Sequence, residues 1–176
     1  MSSELKVDTI SDKTSANGVT IDSLLIKDGL AYSGIMQVVT FGPIGGSSNQ
    51  LETTSTTYAD VPNHTISITP KVATSKIFVY MTTGYWAADV PGNIKIVENS
   101  SGSFVDVHEM KYQGMSAGQN SIGGNTALGG LIDHNTTNAI TIKLQGARQD
   151  SSGSNRFRIT WYDQEAFGIA VEIGAI

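Results

Sequence analysis

Lys76-Ile-Phe-Val-Tyr-Met-Thr82 carries Ile77, Val79 and Met81 on alternating positions, the period-two signature of a strand with one face turned into a core. Thr65–Thr69 repeats the pattern with Ile66 and Ile68, and Ala139–Gln145 does so with Ile140, Ile142 and Leu144 opposite Thr141 and Lys143. Arg156–Tyr162 sets Phe157 and Ile159 against Arg158 and Thr160, and Ile169–Ile173 sets Ile169, Val171 and Ile173 against Ala170 and Glu172. Met36–Phe41, Thr56–Val61, Asn93–Glu98, Phe104–Glu109 and Leu128–Ile132 complete about ten short runs, with Gly, Asn, Asp or Ser at most junctions. The pattern predicts an all-β chain: an antiparallel β-sandwich, jelly-roll-like, over residues 35–176. Long helices are not expected.

Composition fits that reading. In 176 residues there are 19 glycines and only 15% charged residues, as suits a β-protein with many tight turns and a weakly charged surface. The net charge of -5 and scattered basic residues argue against a nucleic-acid partner, which would need a basic stripe, and against an electrostatic membrane anchor. Without cysteine there is no disulfide scaffold or thiolate metal site, so stability has to come from packing and from oligomerisation. Met1-Ser-Ser-Glu-Leu-Lys6 lacks the apolar core of a signal peptide. No apolar run approaches the roughly 20 residues that span a bilayer. The expectation is synthesis in a cytoplasm and no membrane insertion.

Residues 1–34 read differently. Val7–Ile10 and Val19–Ile26 alternate β-branched residues with Asp, Thr, Ser and Lys, and Asn17-Gly18 between them is a strong reversal signal, which predicts a two-strand arm. A lone hairpin is marginal in water, so Val7, Ile10, Val19, Ile21, Leu24, Leu25 and Ile26 are expected to be buried against copies of the chain or another protein. At about 1.5–3 kcal/mol per fully buried large apolar side chain, such an interface outweighs the cost of association.

The stretch Gly18-Val-Thr-Ile-Asp22, followed by Leu24-Leu25 and Lys27-Asp-Gly29, resembles a segment of tail fibres and other virion proteins of tailed bacteriophages, particularly those of marine bacteria and cyanobacteria. Thr53–Tyr58, Ile66-Ser-Ile-Thr-Pro70, Thr74-Ser-Lys-Ile-Phe-Val-Tyr80 and Ile169-Ala-Val-Glu-Ile173 resemble, in order, motifs of a C-terminal domain of the same appendages. Residues 87–138 match nothing specific. The resemblance implies a homotrimer in the virion, attached to other virion proteins of tail or capsid by the arm. Two roles follow from it. As a short tail fibre the chain would present the sandwich to the host surface. As a capsid decoration protein it would stabilise the lattice, a role that the shortness of the chain favours, while the resemblance of the domain favours the fibre, the preferred reading.

Catalytic motifs do not hold up. Gly114-Met-Ser-Ala-Gly118 fits the nucleophile-elbow pattern, with Asp133 and His134 downstream, but Gln119–Asn125 is hostile to the helix an elbow requires. His64, His108 and His134 lie far apart without a partner at ligand spacing, leaving only one histidine per chain meeting on a threefold axis as a metal site. Gly123-Gly124 and Gly129-Gly130 precede no Gly-Lys-Ser/Thr and read as turns or a threaded axial strand. Asp150–Asn155 lacks the closing Glu of a calcium loop and reads as a hairpin tip. No cofactor, metal or enzyme activity is expected. Host glycan binding is the remaining chemistry, with Tyr85, Trp86 and Tyr112 as flat apolar faces for sugar rings. Trp161, on the parity of Phe157 and Ile159, reads instead as a core or interface residue.

Overall fold

A computed structural model describes residues 19–21, 24–27, 30–31, 34–88, 90–113, 121–150, 155–160 and 164–174. Its first three strands are short: β1 (Val19–Ile21), β2 (Leu24–Lys27) and β3 (Leu30–Ala31). Ile21 pairs with Leu24 and Lys27 with Leu30, so the expected Val19–Ile26 strand is instead split. Only two residues separate the strands at each reversal. One pair is Asp28-Gly29, a hairpin signal as strong as Asn17-Gly18. Val7–Ile10 lies outside the described residues.

The long strands are β4 (Ile35–Ile44), β6 (Ala59–Ile68), β7 (Lys76–Ala87), β8 (Gly92–Glu98), β9 (Val105–Gln113), β10 (Ile122–Asp133), β11 (Ile140–Arg148) and β13 (Ala166–Ile173), with short β5 (Leu51–Thr53) and β12 (Phe157–Ile159) between them. Ser47–Asn49 forms a single 3-10 turn. In one sheet β7 is paired along its whole length with β10 on one side, and with β13 and then β12 on the other. β4 lies beyond β13, and β5 beyond β12. The second sheet runs β6-β11-β8-β9. Every pair is antiparallel. Taking the eight long strands in chain order, the sheets read 1-8-3-6 and 2-7-4-5, the connectivity of a jelly roll.

Alternation fixes the core. Ile77, Val79 and Met81 of β7 meet Ile66, Ile68, Ile140, Ile142 and Leu144 of the opposing sheet, all at 2% exposure or less. β6 fuses two expected strands into one. Pro62 and Asn63 sit within it, Asn63 at φ 62°, and His64 rather than an apolar residue turns inward.

The glycine pairs of β10 are strand interior, not turns, because neighbours occupy the space their side chains would fill. A Cβ at Gly124 would come within 2.8 Å of the Tyr85 hydroxyl, and one at Gly130 within 2.5 Å of a Val107 methyl. Gly92 lies beneath the buried Phe157 ring, and Gly146 beneath Ile159. By overpacking, Gly92→Ala and Gly146→Ala should each lose about 1–3 kcal/mol in urea unfolding. Gly123→Ala, where a Cβ would make only ordinary contacts at 3.4 and 3.7 Å, should lose less than either.

Candidate interaction surface

The two outer faces of the sandwich differ in kind. On β6-β11-β8-β9 the outward side chains are polar and paired. Lys95 meets Asp106 at 2.7 Å and lies over the Tyr58 ring, Lys143 meets Asp60 at 2.6 Å, and Gln145 donates to the same carboxylate. Tyr58 donates to Glu109, and its phenol is pushed well above its usual range by burial and then by that carboxylate. This is a face made for water.

The outer face of β4-β13-β7-β10 is apolar. One row crosses all four strands in register, Val38, Val171, Phe78 and Leu131. Thr40, Ile169, Tyr80 and Gly129 form the next row. Val38 is 50% exposed, Phe78 41% and Leu131 53%. Of the nine exposed large hydrophobics among the described residues, seven lie on strands of this sheet, with Ile35, Tyr80, Phe167 and Ile173 completing the set. At one margin Lys76 and Asp133 form an ion pair. At the other, Arg158 and Arg156 each meet Glu52 at 2.6 Å.

This face exists because β13 is turned over relative to its hydropathy. Ala170 and Glu172 are fully buried, whereas Ile169 and Val171 are half-buried and Ile173 is exposed. The inward Glu172 is well satisfied. It accepts from Ser75 Oγ at 2.6 Å, Gln37 Nε2 at 2.5 Å and the Lys71 N–H at 2.8 Å, with the Val72 N–H at 3.3 Å. Burial pushes this carboxyl up, but the donors outweigh it and hold it below the ordinary carboxylate range. The carboxylate thus clasps the turn before β7 onto β13.

His134 Nε2 lies 3.3 Å from the same Ser75 Oγ, so a serine, a histidine and a glutamate are neighbours. The order is wrong for nucleophilic catalysis. The serine stands between the other two, gives its only proton to an acceptor already at hand, and is 1% exposed. Sequence reasoning missed this cluster because nothing in the alternation marks Glu172 as the buried member of its strand.

A second polar cluster sits inside the core. His64 Nδ1 lies 2.7 Å from the Pro62 carbonyl and accepts no proton there, so the ring donates at Nδ1 and accepts at Nε2 from Thr160 Oγ1, 2.8 Å away. Thr160 in turn lies 3.0 Å from Thr83 Oγ1. Thr160 has φ 58° and is buried, which ends the Phe157/Ile159 alternation one residue after β12.

The expected site residues are dispersed. Tyr85 points inward against Phe157, whereas Trp86 points outward with Arg158 stacked over its ring at 4.9 Å, so adjacent positions put the two aromatics on opposite sides of the sheet. Tyr112 lies on β9, with its side chain outside the described residues, as are Trp161, Ser116 and the side chains of Val19, Ile21, Leu24, Leu25 and Ile26. His64 and His134 are buried with separate partners, and His108 bonds the Gly129 carbonyl at 2.7 Å. No three potential metal ligands come together among the described residues.

No family model matches the chain, and no curated protein does. Among solved structures it is similar to the Eiger TNF of S. frugiperda, at 10% identity over 82% of this chain and 96% of that one, with a TM-score of 0.47. It is also similar to a chain in the structure of infectious bursal disease virus, Gx strain, at 14% identity, 79% and 32% coverage and a TM-score of 0.40. A third likeness is to the EclA C-terminal domain, a sugar-binding protein, at 10% identity, 72% and 82% coverage and a TM-score of 0.36. The functional reading rests on the chain's own geometry.

Burial, opposed only in part by the Pro62 carbonyl, lowers the basicity of His64 below its ordinary 6.5. Below that pH the unfolded chain binds more protons than the folded one, so stability is full above 6.5 and declines as pH falls from there. Glu172, depressed below its ordinary 4.5, adds a loss in the same direction at lower pH. The unfolding midpoint should therefore drop between pH 6.5 and 5 in the native chain, and this part of the slope should vanish in His64→Gln.

Proposed function

We propose that this chain is a structural protein of a tailed-phage particle: a short homotrimeric tail fibre, attached to other virion proteins by residues 1–34 and presenting its β-sandwich to the host surface. The observation that carries the reading is the build of the N-terminal segment. β1, β2 and β3 contain three, four and two residues and form a sheet of their own, paired with no strand of the sandwich among those described. So small a sheet is not stable in water by itself and calls for a partner surface. Its sequence is also the stretch that resembles virion attachment segments. A sandwich with a self-paired element at its N-terminal side suits an attachment role. If host glycans are bound, Trp86 is, of the two members of the expected aromatic set whose side chains are described, the one on an outer face.

Copy number tests the reading. Quantitative mass spectrometry of purified particles against the major capsid protein should find a few to tens of copies, as for a fibre. A ratio near that of the capsid protein would replace the fibre by a decoration protein, and absence from particles would overturn both. Ile21→Asp should leave the sandwich folded by circular dichroism while releasing the chain from particles; a variant that stays attached would place the attachment elsewhere.

A further inference from the structure

We propose that the apolar outer face of β4-β13-β7-β10 is the surface through which copies of this chain pack on one another about the trimer axis. The inference rests on the trimeric reading above and adds to it the face, which the N-terminal segment alone does not define.

Three observations select a second copy as the occupant. The first is area. The seven exposed hydrophobics present on the order of 600 Å², at the upper end of what a stable monomer leaves in water as one patch and close to the roughly 800 Å² per partner of a standard interface. The second is charge. The two central rows of the face carry no charged side chain, and at the margins Lys76 is paired with Asp133 and both Arg156 and Arg158 with Glu52, with Glu165 exposed beside Thr82 and Asn125, so the face offers little to a strongly charged partner. The third is continuity. Ile35 and Ile173 lie at the corner where residues 1–34 join the sandwich, and the Gly174 N–H bonds the Gly34 carbonyl at 3.0 Å there. Three chains brought together by their N-terminal segments would therefore meet first at this end of the apolar face. The opposite sheet lacks such a row: Lys95, Asp106, Lys143 and Asp60 on its outer face are ion-paired, and its two exposed hydrophobics, Phe104 and Val105, are adjacent, with Lys143 over the Phe104 ring.

The test uses the full chain in sedimentation equilibrium at micromolar concentration. The native protein should be a trimer. Leu131→Glu and, on a different strand, Val38→Glu should weaken association at least 100-fold while leaving the far-ultraviolet circular dichroism unchanged; Phe104→Glu on the other sheet should associate as the native chain does. Because the chain has no cysteine, Leu131→Cys supplies a second readout that does not depend on tolerance of a charge. Its thiol should be shielded from maleimide in the trimer and react on dilution to monomer. A trimer that survives both glutamate variants, or a thiol that reacts fully within the trimer, overturns the face and leaves the trimeric reading intact. A native chain that is monomeric overturns both, including the case in which residues 1–34 fold back over the face of their own chain.

Discussion

A strand in a two-sheet sandwich has one face in the core and one outside, and β7 is apolar on both. Ile77, Val79 and Met81 are at zero exposure, while Phe78 and Tyr80 between them stand on the outer surface. Because β7 is the central strand of its sheet, this double character propagates to its neighbours. β13 brings Ile169 and Val171 alongside Tyr80 and Phe78, β10 adds Leu131, and β4 adds Val38 beyond β13. An apolar residue on the outside of one strand is ordinary; a row of four in register across four strands is a surface whose exposure in water costs free energy at every position. The sandwich is a complete core with a second, half-built core on its back.

The inversion of β13 shows how the fold accommodates this. Turning Ile169, Val171 and Ile173 outward brings Ala170 and Glu172 inward, and a buried carboxylate would be costly without donors. Ser75, Gln37 and two backbone N–H groups supply them, drawn from β4 and from the turn that precedes β7. The same contacts fasten the start of the central strand to the last strand of the chain. The small Ala170 between Gly168 and Glu172 keeps β13 thin on its inner side, and the Phe41 ring of neighbouring β4 takes the space over Gly168.

How much of this was legible follows from what alternation encodes. Period two identified β7, β11 and the second half of β6, because in those strands the apolar parity is the buried one. For β13 it pointed to Ile169, Val171 and Ile173 as the buried parity, and the structure has the opposite one; the clasp around Glu172 decides it, and its members are contributed by residues 37, 71, 72 and 75. In β10 the glycines that suggested turns are strand positions, a reading that depends on Tyr85 and Val107 being close by in space. Adjacent residues of a strand lie on opposite sides, so Tyr85 and Trp86 cannot share one binding face; this was hidden because the single strand Lys76–Ala87 runs five residues past the stretch that defines it. At the N-terminal side, alternation does not mark the reversals that divide Val19–Ile26 between β1 and β2, and the Asn17-Gly18 turn lies outside the described residues.

The contrast between the two outer faces bears on the direction in which copies of the chain would associate under the proposed reading. Low overall charge would favour indiscriminate association if apolar surface were spread evenly. Here Lys95, Lys143, Asp60, Asp106 and Glu109 stand on the outer face of one sheet, whereas seven exposed apolar side chains gather on the other, whose charges lie at its margins. Face-to-face contact through the charged sheet would require desolvating ion pairs that are already satisfied, which returns little. Contact through the two central rows of β4-β13-β7-β10 removes mainly apolar side chains from water. The segregation of the two kinds of surface thus gives the chain a preferred direction of association, and it does so through the parity of β13 and the double-sided β7, without a charged contact to specify it.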